Sequence, residues 1–325
     1  MAIYKLGDIC VISTGNKNKE DATGNGPYPF YTRSVNILRS SDYTIDEECV
    51  IIPGEGIFKP MYNVGKAAVH QRVYIIRGLD NHILNKYLFY WWLSNDHILY
   101  NYAVGSTVKS LRKNSFESPI IDLPKINVQQ EIIDIIKPIE DSILNIQKQI
   151  SNIKKILIAN YEINSNCKVM FNETFKLSNK KYNNQIKYLA TNAIGELSID
   201  ISKAPDISSK RPSRANLTPE KNSIIFSKLD GENKIFYVDE KFDFVVSTGF
   251  INITTDFNDH VVGYILSDDF KKQKTLLSTG TTMVGLNNDS LNKMVIKKPL
   301  SKSNDLVIVL NQLLKIELKL KSELN

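Results

Sequence analysis

Two stretches of this chain match each other at a constant offset, and a duplication of that kind limits the fold to two copies of one unit. Gly105-Ser106-Thr107-Val108 aligns with Gly280-Thr281-Thr282-Met283. At the same offset Leu111, Ser115, Ile121 and Pro124 meet Leu286, Ser290, Ile296 and Pro299. Upstream the match is looser but keeps its order: Cys49-Val50-Ile51-Ile52 resembles Ser223-Ile224-Ile225-Phe226, and 67–76 resembles 244–253. These segments are alternating or β-branched and read as strands. Each copy then has one helix candidate, 85–100 and 259–277, so the unit is α+β. A length of 325 residues, at roughly 150 per domain, agrees with two such units.

Each copy leads into a helix with a coiled-coil stripe. After Pro124, the residues Ile132, Ile136, Ile139, Ile143, Ile146, Ile150, Ile153 and Leu157 are spaced alternately by four and three. Asn127 with Gln130 three residues on forms a capping box that starts this helix near Val128, and its end falls near Tyr161. Pro138 removes one backbone donor inside it, which kinks the helix or divides it into a short lead-in and a long shaft. A second stripe, Leu306, Val309, Leu313, Ile316 and Leu320, closes the chain. Stripes of this length bury too little area alone, so the two helices pack on each other or on another protein. Ordinary amphipathic helices of a globular core are the plainer alternative.

Composition excludes several classes. A hydrophobic fraction of 42% and a charged fraction of 23% are ordinary for a folded chain. The longest apolar run, around 87–93, is far too short to span a bilayer. Met1-Ala2-Ile3-Tyr4-Lys5 begins no basic-then-apolar leader, so a cytoplasmic chain without membrane attachment is expected. Cys10, Cys49 and Cys167 form no Cys-x-x-Cys pair and read as small buried hydrophobes. His70, His82, His97 and His260 lack metal-ligand spacing, so no metal site is expected.

The charge balance is 41 basic against 35 acidic residues, and only seven of the basic ones are arginine. The excess sits in the two repeated blocks: residues 1–125 carry 14 against 12 and residues 166–300 carry 19 against 15. A duplicated unit with basic surfaces suits a long anion, with DNA as the obvious one. Lysine and arginine meet phosphates while a few side chains read base edges. The candidates in the first unit are Arg33, Lys59, Lys66, Arg72, Lys109, Arg112 and Lys113, and in the second Lys210, Arg211, Arg214, Lys228 and Lys234. An exposed lysine is also, by default, a solvated surface charge. Similar frames carry different loops: Gly24-Asn25-Gly26-Pro27-Tyr28-Pro29 and Pro53-Gly54-Glu55-Gly56 in the first unit, against Lys210-Arg211-Pro212-Ser213-Arg214 and Leu229-Asp230-Gly231-Glu232 in the second. Two modules that read different targets would look like this, and so would two diverged copies with no shared purpose. Gly15-Asn16-Lys17-Asn18-Lys19 is a loop that either faces DNA or is flexible and solvated.

Leu6-Gly7-Asp8-Ile9, Tyr28-Pro29-Phe30-Tyr31, Gly105-Ser106-Thr107 with Leu111, and Ile120 to Pro124 followed by Gln129-Gln130-Glu131-Ile132 together resemble the specificity (S) subunit of type I restriction-modification systems. The likeness covers the whole layout, although Lys168 to Lys187 lacks the Leu-Gly-Asp and Pro-Tyr-Pro signatures. It implies target-recognition domains at 1–125 and 166–300, with long antiparallel coiled-coil helices at 126–165 and 301–325. It further implies that each domain reads one half of a split double-stranded DNA site through loops, while the helices set the gap and dock two methyltransferase (modification) subunits. No cofactor is implied in this chain; S-adenosylmethionine, and ATP with Mg, belong to the partner subunits, including any restriction subunit.

Enzyme readings have little to stand on. No Asn-Pro-Pro-Tyr or Asp-Pro-Pro-Tyr motif and no glycine-rich nucleotide loop is present. Asp206 with Glu232 and Lys234 matches a metal-dependent nuclease pattern, but Glu232 falls in an Asp-Gly turn, and Lys234 reads equally as a surface charge. A scaffold whose helices bind proteins while its globular units bind no DNA is a third reading. The aromatic run Tyr87, Phe89, Tyr90, Trp91 and Trp92 reads as core rather than as a base-stacking platform.

Overall fold

The computed structural model describes residues 2–79, 82–163, 166–239, 243–280, 284–302 and 305–324. The chain forms two compact units, up to Glu140 and from Asp141 to Leu324.

In the first unit the order is β1 (Ala2–Lys5), α1 (Leu6–Ile9), β2 (Cys10–Thr14), β3 (Tyr28–Tyr31), β4 (Leu38–Ser40), β5 (Ile45–Asp46), β6 (Cys49–Pro53), β7 (Met61–Asn63), β8 (Lys66–Val69) and β9 (Val73–Gly78). Then follow α2 (Asn85–Ser94), α3 (Asp96–Tyr102), α4 (Asn114–Glu117), β10 (Ile120–Leu123) and α5 (Ile126–Ile163). β1 pairs with β10; one four-stranded sheet runs β2-β9-β6-β7 and another β4-β3-β8-β5, with β3 parallel to β8. Every residue of the Cys49–Pro53 strand is buried, as its unbroken apolar sequence requires. Leu6, Ile9, Val50, Ile76, Trp92, Phe116, Ile121 and Ile133 form the main core. Trp92 is wholly buried, so the aromatic run is core, as read.

The second unit repeats this plan. β11 (Lys168–Met170) pairs with β19 (Val295–Lys297) as β1 does with β10. β12 (Lys176–Leu177), β18 (Phe250–Thr254), β15 (Ser223–Ser227) and β16 (Ile235–Val238) lie side by side in that order. They correspond to β2, β9, β6 and β7. The smaller sheet runs β13 (Lys187–Leu189), β17 (Phe244–Ser247), β14 (Ala215–Leu217), and its first pair is again parallel. Helices α6 (Asn258–Leu266), α7 (Asp268–Leu277) and α8 (Asn288–Lys293) precede β19, and α9 (Leu306–Leu324) ends the chain. Thr281, Thr282 and Met283 of the repeat lie outside the described residues.

Four sequence expectations need correction. Each single helix expected at 85–100 and 259–277 is two. Asn95 leaves helical geometry with its amide on the Trp91 carbonyl at 2.9 Å, and Ser267 is extended and caps α7 by accepting from the Phe270 N–H at 3.3 Å. Asn127 is not a cap, because α5 already begins at Ile126 and the Gln130 side chain donates instead to Asp134. Pro138 does not divide the helix, because α5 runs through it without interruption, and of the two expected outcomes the kink is the one compatible with this. Finally, α9 turns only part of the expected stripe inward, Leu306, Leu313 and Leu320 being half-buried. Val307 and Leu310 are buried, whereas Val309 and Ile316 are 44% and 48% exposed. The inward register, 307, 310, 314 and 317, ends on Glu317, which pairs at 2.5 Å with Lys321, itself 47% exposed, and accepts from Gln147 Nε2 at 2.8 Å. A count of apolar residues misses a register whose last member is charged.

The α5 stripe is inward as read. Ile143, Ile150 and Leu157 are buried and Ile132, Ile136, Ile139, Ile146 and Ile153 half-buried. Within the second unit Ile146, Ile150, Ile153, Leu157 and Tyr161 share one apolar cluster with Leu306, Val307, Leu310 and Leu313. Among the described residues, no helix is long and apolar enough to cross a membrane.

Candidate nucleic-acid interface

In the first unit four loops meet through backbone hydrogen bonds. The Gly54 N–H donates to the Arg72 carbonyl at 2.9 Å, the Leu111 N–H to the Gly54 carbonyl at 2.8 Å, and the Gly56 N–H to the Lys109 carbonyl at 3.1 Å. Val104 and Ser110 exchange two more bonds and close the 104–110 loop. Gly54 is required here, since a Cβ would stand 2.8 Å from the Arg72 carbonyl oxygen. Gly56 supplies the positive φ of the turn. The loop at 15–19 joins the same cluster: the amides of Asn16 and Lys17 donate to the Val69 carbonyl, and Gln71 reaches Asn18. It is tied down rather than free in solvent.

Side chains follow that frame. Arg33 Nη1 donates to Glu55 at 2.8 Å and Arg72 Nη1 pairs with the other carboxylate oxygen. Glu55 lies beneath the two guanidiniums, 17% exposed against 48% and 59%. The hydrogen bond from Arg33, and then that from Arg72, hold its carboxyl below the ordinary range against the opposing effect of burial. His70 is buried, and burial, with the charges of Arg33 and Arg72, pushes its pKa down. The neutral ring fits its role as acceptor, because the Arg72 backbone N–H donates to Nδ1 at 3.0 Å.

The second unit carries the same frame with other residues. The Lys228 N–H donates to the Gly249 carbonyl, the Leu286 N–H to the Lys228 carbonyl, and the Asp230 N–H to the Val284 carbonyl, at 2.9, 2.9 and 3.0 Å. Thr279 and Gly285 exchange bonds as Val104 and Ser110 do. Lys228, Leu229 and Gly249 thereby occupy the places of Gly54, Glu55 and Arg72. Lys228 Nζ donates to the Thr248 carbonyl at 2.9 Å, and burial lowers its pKa. The Thr248 amide donates to the Arg214 carbonyl, which brings Arg214 beside Lys228. The Arg211 guanidinium stacks 4.6 Å from the Tyr182 ring centroid and donates to the Ala215 carbonyl.

The structure therefore gathers Arg33, Arg72 and Lys109 in the first unit, where Arg112 follows Leu111 in sequence, and Arg214 and Lys228 in the second, with Arg211 bonded to the Ala215 carbonyl next to Arg214. Other candidates stand apart from these frames. Lys66 lies over the Tyr43 ring at 4.6 Å, Lys113 pairs with Glu117 on α4, and Lys59 and Lys210 are exposed. Lys234 pairs with Glu232 at 2.6 Å. Glu232 also accepts from Ser227, and Asp206 accepts from the amide and hydroxyl of Ser208. Those bonds occupy the residues of the nuclease pattern, and no group of three or more metal-ligating side chains is found among the described residues. Cys10 and Cys49 are buried as read, but Cys167 is exposed.

Sequence reasoning missed Glu55, His70 and Lys274. Lys274, on α7, is 3% exposed and donates to the carbonyls of Ser227 and Glu232 at 2.8 and 2.7 Å, pinning the 227–232 loop from below. Its signal was a lysine at helical spacing from Phe270 on a buried face.

A family model described as the type I restriction modification DNA specificity domain matches residues 1–155. Over 155 residues the chain is 26% identical to the type I restriction enzyme EcoDI specificity subunit of Escherichia coli, covering 47% of this chain and 34% of that protein. The match thus spans about a third of that curated relative's length. The crystal structure of the type I restriction-modification system S subunit from M. genitalium is similar in fold, with a TM-score of 0.60 at 15% identity over 99% of this chain and 91% of that one. The resemblance read from the sequence holds over residues 1–155, which match the type I restriction-modification DNA specificity domain.

Proposed function

We propose that this chain is the DNA-recognition subunit of a type I restriction-modification complex, each unit reading one half of a bipartite duplex target. The observation that carries this reading is the shared frame with exchanged residues: the same backbone bonds hold Gly54, Glu55 and Arg72 in one unit and Lys228, Leu229 and Gly249 in the other. A scaffold kept for one purpose has no need to vary that one place, whereas two readers of different half-sites do. Basic loops meet the phosphates, and side chains on the frames reach base edges. α5 and α9 run antiparallel as the spacer that sets the gap, and their outward faces dock two methyltransferase subunits. The chain contributes specificity and no catalysis; S-adenosylmethionine, and ATP with Mg, act in the partners, and the complex works in the cytoplasm.

The test is selection from a randomised duplex library by the full chain, alone and with a modification subunit, at two salt concentrations. Two short motifs at fixed spacing are expected, and exchange of residues 166–300 for those of another such subunit should change one motif only. Sequence-blind or absent binding in both assemblies would refute the reading.

A further inference from the structure

We propose that Glu55, Arg33 and Arg72 form a guanine-reading triad in the first unit, in which the two guanidiniums make the base contact and Glu55 is the positioning residue. This rests on the DNA-recognition reading above. The argument begins with a carboxylate in the wrong place for simple phosphate gripping. It repels a polyanion and cancels one of two positive charges, in a chain that has only seven arginines. Its depth is informative: the carboxylate lies under the guanidiniums, which project outward. That arrangement suits orientation rather than ligand contact.

Each arginine gives Nη1 to Glu55, and among the described residues neither makes another side-chain hydrogen bond. The Nε and Nη2 donors of each stay available as a planar fork. Guanine offers O6 and N7 in the major groove as a matching pair of acceptors, and arginine held by a carboxylate loses less rotamer freedom in meeting them. The base of the triad is rigid, because Arg72 is fixed at its amide by His70 and at its carbonyl by Gly54. In the second unit the corresponding places hold Leu229 and Gly249, and Lys228 there is a point charge without a fork. The guanine requirement therefore belongs to one half-motif alone.

The experiment is the library selection applied to the full chain in the same assemblies, comparing wild type with Glu55→Gln and Arg72→Lys. Glu55→Gln keeps the shape and removes the charge. It should weaken guanine preference at one position by about tenfold, the size of a lost bidentate contact. At the same time it should tighten binding to random DNA and steepen its salt dependence, since one repelling charge is gone. Arg72→Lys should lose the same guanine preference. The second half-motif should persist in both variants, which also shows that they are folded. If the wild type selects two motifs and Glu55→Gln leaves both unchanged, or weakens binding uniformly, the triad is overturned while split-site recognition stands. If the wild type selects no motif, DNA recognition itself fails and the triad with it.

Discussion

Replacing Lys274 by methionine should flatten the rise of stability with pH that this buried lysine imposes on the second unit above pH 8. Burial pushes its pKa from 10.5 down to about 8, resisted by the nearby charges of Glu232 and Asp230. That drop corresponds to ~3 kcal/mol of destabilisation below pH 8, where the ammonium must stay charged inside the protein. Methionine removes that cost but leaves the Ser227 and Glu232 carbonyls without their donor, at ~1–3 kcal/mol each. Near pH 7 the two effects almost cancel, so the diagnostic is the slope. Between about pH 8 and 10.5 the unfolded chain holds a proton that the folded one has shed, and wild-type stability rises by ~1.4 kcal/mol per pH unit. Urea unfolding followed by circular dichroism at pH 7, 8, 9 and 10 measures this, on the transition that Leu310→Ala also moves. Tyrosine ionisation is common to both proteins and cancels in their difference. That difference should shift by ~2–3 kcal/mol in favour of wild type between pH 8 and 10. Parallel lines for the two proteins would refute the assignment of a depressed pKa to Lys274.

Three further outcomes follow from packing. Leu310→Ala should cost about 2–5 kcal/mol in urea unfolding, while Val309→Ala and Ile316→Ala, on the exposed side of α9, should stay within about 0.5 kcal/mol; the reverse pattern would restore the all-apolar register. Gln129→Ala should destabilise the first unit by ~3 kcal/mol, seen as a lower midpoint by tryptophan fluorescence from Trp91 and Trp92. Fully buried, Gln129 accepts from the Leu84 amide and donates to the carbonyls of His82 and Pro124. Asn252→Leu should stabilise the second unit by ~1 kcal/mol in urea, because Asn252 is 1% exposed on β18 and neither amide atom has a hydrogen-bond partner.

The Gln129 contacts show how far local reading reaches. Gln129-Gln130-Glu131 marks the start of α5 as a motif, yet the first glutamine is buried against residues about 45 positions earlier and the second is exposed to Asp134. Nothing local separates the two. Lys228 and Lys234 are likewise both basic candidates of the second unit. The fold turns one onto the Thr248 carbonyl beside Arg214 and the other onto Glu232.

What the sequence determined by itself was the duplication, the α+β content of each copy and the isoleucine seam of α5. These are periodicities, and a period is carried by neighbours along the chain whatever lies across from them. The tertiary structure alone decided which stripe of α9 is buried, because both registers are compatible with a helix and only the Val307 and Leu310 pocket distinguishes them. It alone joined Glu55 to Arg33 and Arg72. Those partners are 22 and 17 residues away; Arg72 meets Glu55 because β6 and β9 are paired, and Arg33 because β3 runs beside β8, which leads into the 70–72 turn.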